Sequence, residues 1–149
     1  MVLSEQVKKL REATGASMMD CKKALEEAQG DETRARELLS KRGAEMAEKK
    51  SERQTKSGIV NAYVHANQRI GVLLELYCET DFVARNENFK NLAHEICLHI
   101  AAVAPQSNEE LLSQPFIKDP AKTVQNIITD AVGKLGENIK LGKFSRFEI

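Results

Sequence analysis

The sequence contains no tryptophan, and aromatic residues make up only 5% of its 149 residues. Its two tyrosines, Tyr63 and Tyr77, are too few to form the stacking platform of a nucleic-acid-binding protein. Net charge is also absent, because 22 basic residues balance 22 acidic ones. Without an overall positive field to attract nucleic acid or an anionic membrane, we expect partners to be recognised by shape and local chemistry.

Long apolar segments are missing as well. Residues 1–5 lack the charged-then-apolar pattern of a secretion signal, and no apolar run approaches the length of a membrane span. Cysteine is scarce: Cys21, Cys78 and Cys97 are odd in number and widely spaced, which favours free reduced thiols over a disulfide framework. Together these features predict a cytoplasmic protein.

Motifs that would carry out a chemical reaction are not found. There is no glycine-rich phosphate loop, no cluster of metal ligands, and no pairing of nucleophile and base among the predicted elements. The nearest approach is His94-Glu95 followed by His99, but a zinc-peptidase helix needs two histidines four positions apart. A spacing of five turns the second imidazole away by about 140°, so we expect packed or surface histidines. We predict no enzyme activity, no catalytic residues, no metal and no cofactor.

The N-terminal part of the chain has the periodicity of short helices. Ser4, Ser17 and Asp31 can cap three successive helices, and Gly43 can end the third. Residues 44–57 are rich in charges of both signs, which is typical of a solvated linker or helical extension. We therefore predict a three-helix domain at 1–43, a linker at 44–57 and a larger core domain at 58–149.

From Gly58 the apolar period changes from helical to two, which predicts a β-hairpin with a turn at residues 66–68. The apolar sets that each share one strand face are Val60, Ala62 and Val64 on the first strand, and Ile70, Val72, Leu74, Leu76 and Cys78 on the second. Even spacing over residues 139–149 predicts a third strand. This strand can complete a three-stranded antiparallel sheet.

Two helices are predicted to accompany the sheet. A stripe from Phe89 to Val103, ended by Pro105, has helical spacing and should cover the hairpin. Asp119-Pro120 can open a second helix after a short polar connection, and Gly136 lies near the end of that helix. The fold class predicted is α+β, with a three-helix unit in front of the sheet.

The junction at residues 78–85, between the second strand and the long helix, stands out. Phe82 beside Asp81 is hard for either flanking element to bury, which makes it a candidate wedge for another molecule. The alternative is that Phe82 packs under the following helix, with Thr80 or Asp81 as its cap.

Two further places offer candidate contacts. Met18 and Met19 are neighbours on a helix, so at most one points squarely inward, and Arg11 could add a charged edge to an adaptable apolar patch. Alternatively, both methionines fill a loose core and Arg11 is solvated. His65 and Arg69 flank the hairpin turn, where they could contact a partner or act as ordinary turn residues.

Several longer motifs occur in a specific order along the chain. They are Leu10-Arg11-Glu12-Ala13-Thr14-Gly15-Ala16, Met18-Met19-Asp20-Cys21-Lys22-Lys23-Ala24-Leu25, Thr80-Asp81-Phe82-Val83-Ala84-Arg85, Gln114-Pro115-Phe116, Gly136-Glu137-Asn138-Ile139 and Arg146-Phe147-Glu148. In this order they resemble the bacterial elongation factor Ts family, and the similarity covers nearly the whole chain.

The resemblance implies a guanine-nucleotide exchange factor for the translational GTPase elongation factor Tu. It also implies a ubiquitin-associated-like N-terminal domain and an α+β core. In the family mechanism an Asp-Phe pair, here Asp81 and Phe82 between Thr80 and Val83, intrudes near the Mg²⁺ and phosphate site of the GTPase, which then loses GDP. Arg11, Met18 and Met19 match family residues that dock on the GTPase domain, and His65 falls near a partner-contacting histidine.

The sequence departs from the longer family members in having one core module instead of two. Residues 105–113 also leave no room for their coiled-coil excursion. A single-module chain could rebuild the doubled surface as a homodimer, for example by joining sheets through the C-terminal strand. The alternative function is a non-exchanging adaptor, in which the three-helix module binds a ribosome-associated protein or peptide. Binding by such an adaptor would be indifferent to the nucleotide state of any GTPase.

Overall fold

A computed structural model describes residues 2–149. The helices are α1 Ser4–Thr14, α2 Met18–Glu27, α3 Glu32–Lys50, α4 Asp81–Ala84, α5 Glu87–Val103, α6 Asn108–Ser113 and α7 Val124–Leu135. The strands are β1 Ser57–Val64, β2 Ile70–Cys78, β3 Pro115–Phe116, β4 Asp119–Thr123 and β5 Lys140–Glu148. No helix in this described range is both long and apolar enough to cross a membrane.

Helices α1 to α3 pack around a small core of their own. Its buried members are Val7, Leu10, Cys21, Ala24, Leu25, Ala28 and Ala35. The caps of α2 and α3 are as predicted, since Ser17 Oγ accepts from the Asp20 N–H and Asp31 Oδ1 from the Arg34 N–H, both at 3.1 Å. The cap predicted at Ser4 is wrong. Ser4 is the first residue of the helix. The N–H of Leu3, the residue before it, donates to Gln6 Oε1 inside the helix.

The third helix does not end at Gly43 and continues to Lys50. Gly43 lies against Gly133 of α7, where a β-carbon on Gly133 would stand 3.0 Å from the Gly43 Cα. This close approach of two helices outweighs the weak helix propensity of glycine, and Ala47 further along packs on the main core. Because the helix runs unbroken past the expected boundary, the division into 1–43, 44–57 and 58–149 stays a prediction.

The α+β class and the three-stranded antiparallel sheet, in the order β1-β2-β5, are confirmed. Helices α5 and α7 pack on the main core, which the inner face of β2 lines with Val72, Leu74, Leu76 and Cys78 as predicted. On β1 the faces are reversed. Its predicted apolar set, Val60, Ala62 and Val64, is exposed, and Ile59, Asn61 and Tyr63 point toward α5. Asn61 is satisfied there by donating to Cys97 Sγ at 3.3 Å.

Strand β5 carries a bulge that changes which residues face inward. The pairing with β2 shifts between Leu74 and Leu76, and Glu75 Oε1 accepts from the Lys143 N–H at 2.9 Å in the shifted region. Only glycine fits at position 142, because a β-carbon there would overlap Tyr77 Cε2 and lie 2.8 Å from the Glu75 β-carbon. Beyond the bulge, the evenly spaced apolar residues of β5 no longer all face the core. Phe147 is exposed on the outer face of the sheet.

The segment before α7 differs from the expectation. Asp119-Pro120 lies in β4, which pairs with β3, and does not open a helix. Helix α7 begins at Val124, where Thr123 Oγ1 accepts from the Asn126 N–H at 3.1 Å. Its end at Gly136 is as predicted, with the glycine in the left-handed conformation at φ 76°. The connection expected to be polar and short also contains α6.

Candidate functional site

Phe82 projects from the protein surface on the single-turn helix α4. It is 83% exposed, whereas the next two residues, Val83 and Ala84, are buried in the main core. The buried pair fixes one side of the turn and the exposed ring extends from the other. Phe82 is therefore exposed, as in the first of the two interpretations of this junction, and does not pack under the following helix. Thr80 caps the turn, because its hydroxyl oxygen accepts a 3.3 Å hydrogen bond from the Val83 N–H.

Glu137, just beyond the end of α7, holds the segment that precedes Phe82. Its Oε1 accepts from the backbone N–H groups of Glu79 at 3.1 Å and Thr80 at 2.9 Å. Its Oε2 accepts from the Thr80 hydroxyl at 2.7 Å. One carboxylate therefore satisfies three donors of the strand-to-helix junction, and charge-assisted bonds of this kind are the stronger ones in proteins.

A second layer of polar contacts supports this arrangement. Asn138 is buried, its N–H donates to Glu79 Oε1 at 2.8 Å, and its side-chain amide donates to the Arg53 carbonyl, also at 2.8 Å. The Lys50 ammonium donates to the Gly136 carbonyl. The ends of α3, β2 and α7 and the segments that follow them therefore meet at one place, beside the residues that lead into the Phe82 turn.

Asp81, the partner of Phe82 in the predicted pair, is exposed but already engaged. Its Oδ1 accepts from the Ser57 hydroxyl at 2.5 Å. Beneath it, Cys78 is a buried free thiol that donates to the Thr80 carbonyl at 3.2 Å. Burial, helped by the nearby Glu137 charge, raises the pKa of the Cys78 thiol, so it stays protonated and serves as packing.

Both methionines of the N-terminal unit are on the surface, Met18 at 57% and Met19 at 64% exposure, and Arg11 of α1 is exposed as well. The alternative in which they fill a loose core is wrong, because both are exposed and other residues, Leu10 and Leu25 among them, form that core. The loop before them lies on α7, with the Lys134 side chain 3.3 Å from where a β-carbon of Gly15 would stand. Lys134 is in the last turn of α7 and Glu137 lies two residues beyond that helix, so this end of α7 lies between the Phe82 segment and the loop that leads to the methionine patch, defined as Arg11, Met18 and Met19.

His65 lies away from the other candidate residues. It follows β1 at the hairpin tip, where its Nδ1 shares a 2.8 Å hydrogen bond with the Tyr63 hydroxyl. Ser57, at the other end of β1, is the residue that contacts Asp81. At roughly 3.3 Å per strand residue, His65 and Asp81 are separated by about 26 Å along the sheet. A partner contacting both would have to span the hairpin.

The histidines of α5 have the packed and surface positions expected for them. His99 is buried, with Nε2 bonded to Gln114 Oε1 at 2.9 Å and Nδ1 accepting from the Ile117 N–H at 3.3 Å. His94 is exposed and edge-on to Tyr63, with ring centroids 5.8 Å apart. Within residues 2–149 no three His, Cys, Asp or Glu side chains are grouped so that they could hold a metal ion.

Ser57, Glu137 and Asn138 are the residues of this site that sequence reasoning missed as contributors. Glu137 and Asn138 were noted only as part of a motif, and Ser57 only as the end of a charged segment. Their contacts with residues 79–81 span 24 to 59 positions of sequence. Local periodicity carries no signal for partners at such separations.

The family model for elongation factor TS matches residues 79–149, the part of the chain that contains Phe82, Glu137 and β5. A protein named Elongation factor Ts from Aquifex aeolicus is 48% identical over 152 residues, which cover 99% of this chain and 52% of that protein. The protein of that name from Carboxydothermus hydrogenoformans is 40% identical over 194 residues, covering 100% of this chain and 89% of its own. The Thermotoga maritima protein is 42% identical over 186 residues, covering 96% and 94% respectively.

These lengths also describe how the chain differs from its relatives. It spans about half of the Aquifex protein. The alignments with the other two extend over 194 and 186 positions, more than the 149 residues of this chain, so those relatives contain internal residues that it lacks.

Proposed function

The chain belongs to the elongation factor Ts family, and on this premise we propose that it promotes GDP release from the translational GTPase elongation factor Tu so that GTP can bind. The observation that carries the proposal is the exposed Phe82 on a helical turn whose other side is buried. An apolar ring this exposed contributes nothing to the core. Its rigid support suits it to enter a pocket of a partner.

The proposed mechanism is displacement of the bound ion and phosphate. Mg²⁺ bridges nucleotide oxygens to a GTPase, so disturbing its site removes a large share of the nucleotide affinity. Phe82 supplies the apolar insertion, and Asp81, Thr80 and Val83 form the turn that carries it. By linkage, this protein weakens nucleotide binding by the factor by which nucleotide weakens its own binding, so GTP entry releases it.

Docking is proposed to rest on separate contacts. Arg11, Met18 and Met19 form an exposed charged and apolar patch on the N-terminal unit, and flexible methionines suit an adaptable interface. His65, at the far end of the hairpin, is proposed as a peripheral contact. Because the patch and the Phe82 turn are both connected to α7, binding at the patch would present Phe82 to the same partner.

The test is the release of fluorescent GDP from elongation factor Tu at rising concentrations of this protein. We expect saturable acceleration. The double variant Met18→Ala, Met19→Ala should need roughly tenfold more protein for half of the effect and reach the same maximum, because docking would weaken while insertion stays intact. No acceleration at any concentration would overturn the exchange proposal and favour the adaptor.

We also propose a homodimer, joined through the sheet at β5. The outer face of the sheet exposes Val60, Val64, Leu73 and Phe147, an apolar surface that neither α5 nor α7 covers. Strand β5 is also an edge of the sheet, since among residues 2–149 it pairs with β2 on one side and with no strand on the other. Exposed apolar side chains grouped on one face are typical of association surfaces.

Light scattering at micromolar concentration tests the dimer. We expect a mass of two chains for the parent and of one chain for Phe147→Asp, since a carboxylate would have to be desolvated in the apolar contact. Leu3→Asp removes an exposed apolar side chain at the start of α1 and should leave the mass at two chains. A single-chain mass for the parent would reject the dimer.

A further inference from the structure

The geometry points to Glu137 as the positioning residue of Phe82, an inference that rests on the proposed exchange function. Glu137 lies outside the turn that it holds. It is 57 positions from Thr80 in the sequence. Its carboxylate is the acceptor for both backbone N–H groups that precede Asp81 and for the hydroxyl of Thr80. The Thr80 hydroxyl in turn caps α4, the turn that carries Phe82.

A helix of four residues cannot hold its own shape. Isolated helices of this length are unstable in water, because ordering the first turn costs more free energy than its hydrogen bonds recover. In α4 the buried Val83 and Ala84 fix the end of the turn, and the Glu137 hydrogen bonds fix its start. Removing the carboxylate would free the start of the turn while the apolar anchor stays in place.

Fixing the turn in advance matters because insertion into a partner otherwise has to order it. Immobilising a mobile loop costs binding free energy, and a loop already held in its bound shape avoids that cost. The hydrogen bonds of Glu137 described above are with the Phe82 segment, whereas the loop before Met18 is contacted by a different residue, Lys134 of α7. We therefore expect Glu137 to affect the insertion step and to leave docking through the methionine patch unaffected.

Exchange assays with Glu137→Ala and Glu137→Gln test this role. Glu137→Ala should lower the maximal rate of GDP release at least about tenfold, because losing even one of its three charge-assisted hydrogen bonds has an effect of that size, at an unchanged half-saturating concentration. Glu137→Gln should remain close to the parent, because its amide oxygen can still accept from both backbone N–H groups. Adding Glu137→Ala to Phe82→Ala should produce no further loss if Glu137 acts through Phe82.

A second measurement does not depend on exchange. The chain has no tryptophan, so a Phe82→Trp variant carries a single fluorescent reporter on the turn. Glu137→Ala should lower the fluorescence anisotropy of this indole at unchanged far-ultraviolet circular dichroism, and Glu137→Gln should preserve it. Unchanged anisotropy with Glu137→Ala, or a rate loss that persists in the Phe82→Ala background, would overturn the positioning role. A lower anisotropy in a protein whose parent does not accelerate GDP release would support positioning and reject the exchange proposal.

Discussion

Replacing Phe82 by alanine should slow the accelerated release of GDP by roughly 30-fold or more, with little effect on folding. The side chain is 83% exposed, so its removal leaves no cavity, and surface changes of this kind shift stability by about 0.5 kcal/mol at most. Truncating an aromatic side chain that anchors an interface reduces the binding free energy by about 2 kcal/mol or more. That loss corresponds to roughly 30-fold in rate if the contact is made only when GDP leaves.

The measurement is the maximal rate of fluorescent GDP release at saturating Phe82→Ala. Ile117→Ala is the matched control, because it removes a partly exposed apolar side chain from the turn after β3 and should behave as the parent does. A Phe82→Ala variant that exchanges at the parental rate would rule out the wedge. Exchange by the parent would then have to arise from other contacts.

Elements governed by local spacing could be predicted from the sequence. The long helix α5 follows from a single apolar stripe, and β2 follows from strict alternation whose apolar face is the buried one. The caps Ser17 and Asp31 were identified from residue type and position alone. In each case the information needed lies within a few residues, and packing agrees with the local preference.

Elements decided by distant contacts could not be predicted. Glycine is a residue type that commonly ends a helix, but α3 continues past Gly43 because the helix packs closely against α7 there. Val60 and Val64 have the composition of a buried strand face, yet the face of β1 that meets α5 is the one bearing Asn61 and Tyr63. Because alternation has only two phases, a strand with apolar residues on both faces does not reveal which one is covered.

The candidate site divides in the same way. The turn from Thr80 to Val83 is contiguous, so its residue types and its resemblance to a family pick it out. The carboxylate that holds it comes from Glu137, beyond the last helix, and no period or spacing connects the two segments. Only the folded chain brings them together. For this reason Phe82 could be identified as a candidate wedge from the sequence, whereas the positioning role of Glu137 could be inferred only from the structure.

Phe89→Ala should have the largest effect on stability, about 3 to 5 kcal/mol, although Phe89 lies only seven positions after Phe82. Phe89 is 0% exposed, at the start of α5 in the main core, and truncating it leaves a cavity as well as lost apolar contact. Domains are stable by about 5 to 15 kcal/mol, so this loss is a large share of the total.

The free energy of unfolding in urea, compared with Phe82→Ala at one protein concentration, provides the measurement and its control. A fixed concentration is needed because dimerisation would make stability depend on it. A loss below about 1 kcal/mol for Phe89→Ala would mean that the site collapses around the cavity. Equal losses for both variants would contradict the assignment of one phenylalanine to the core and the other to a partner. Two residues of the same type in adjoining helices are therefore expected to separate folding from function, since burial alone distinguishes them.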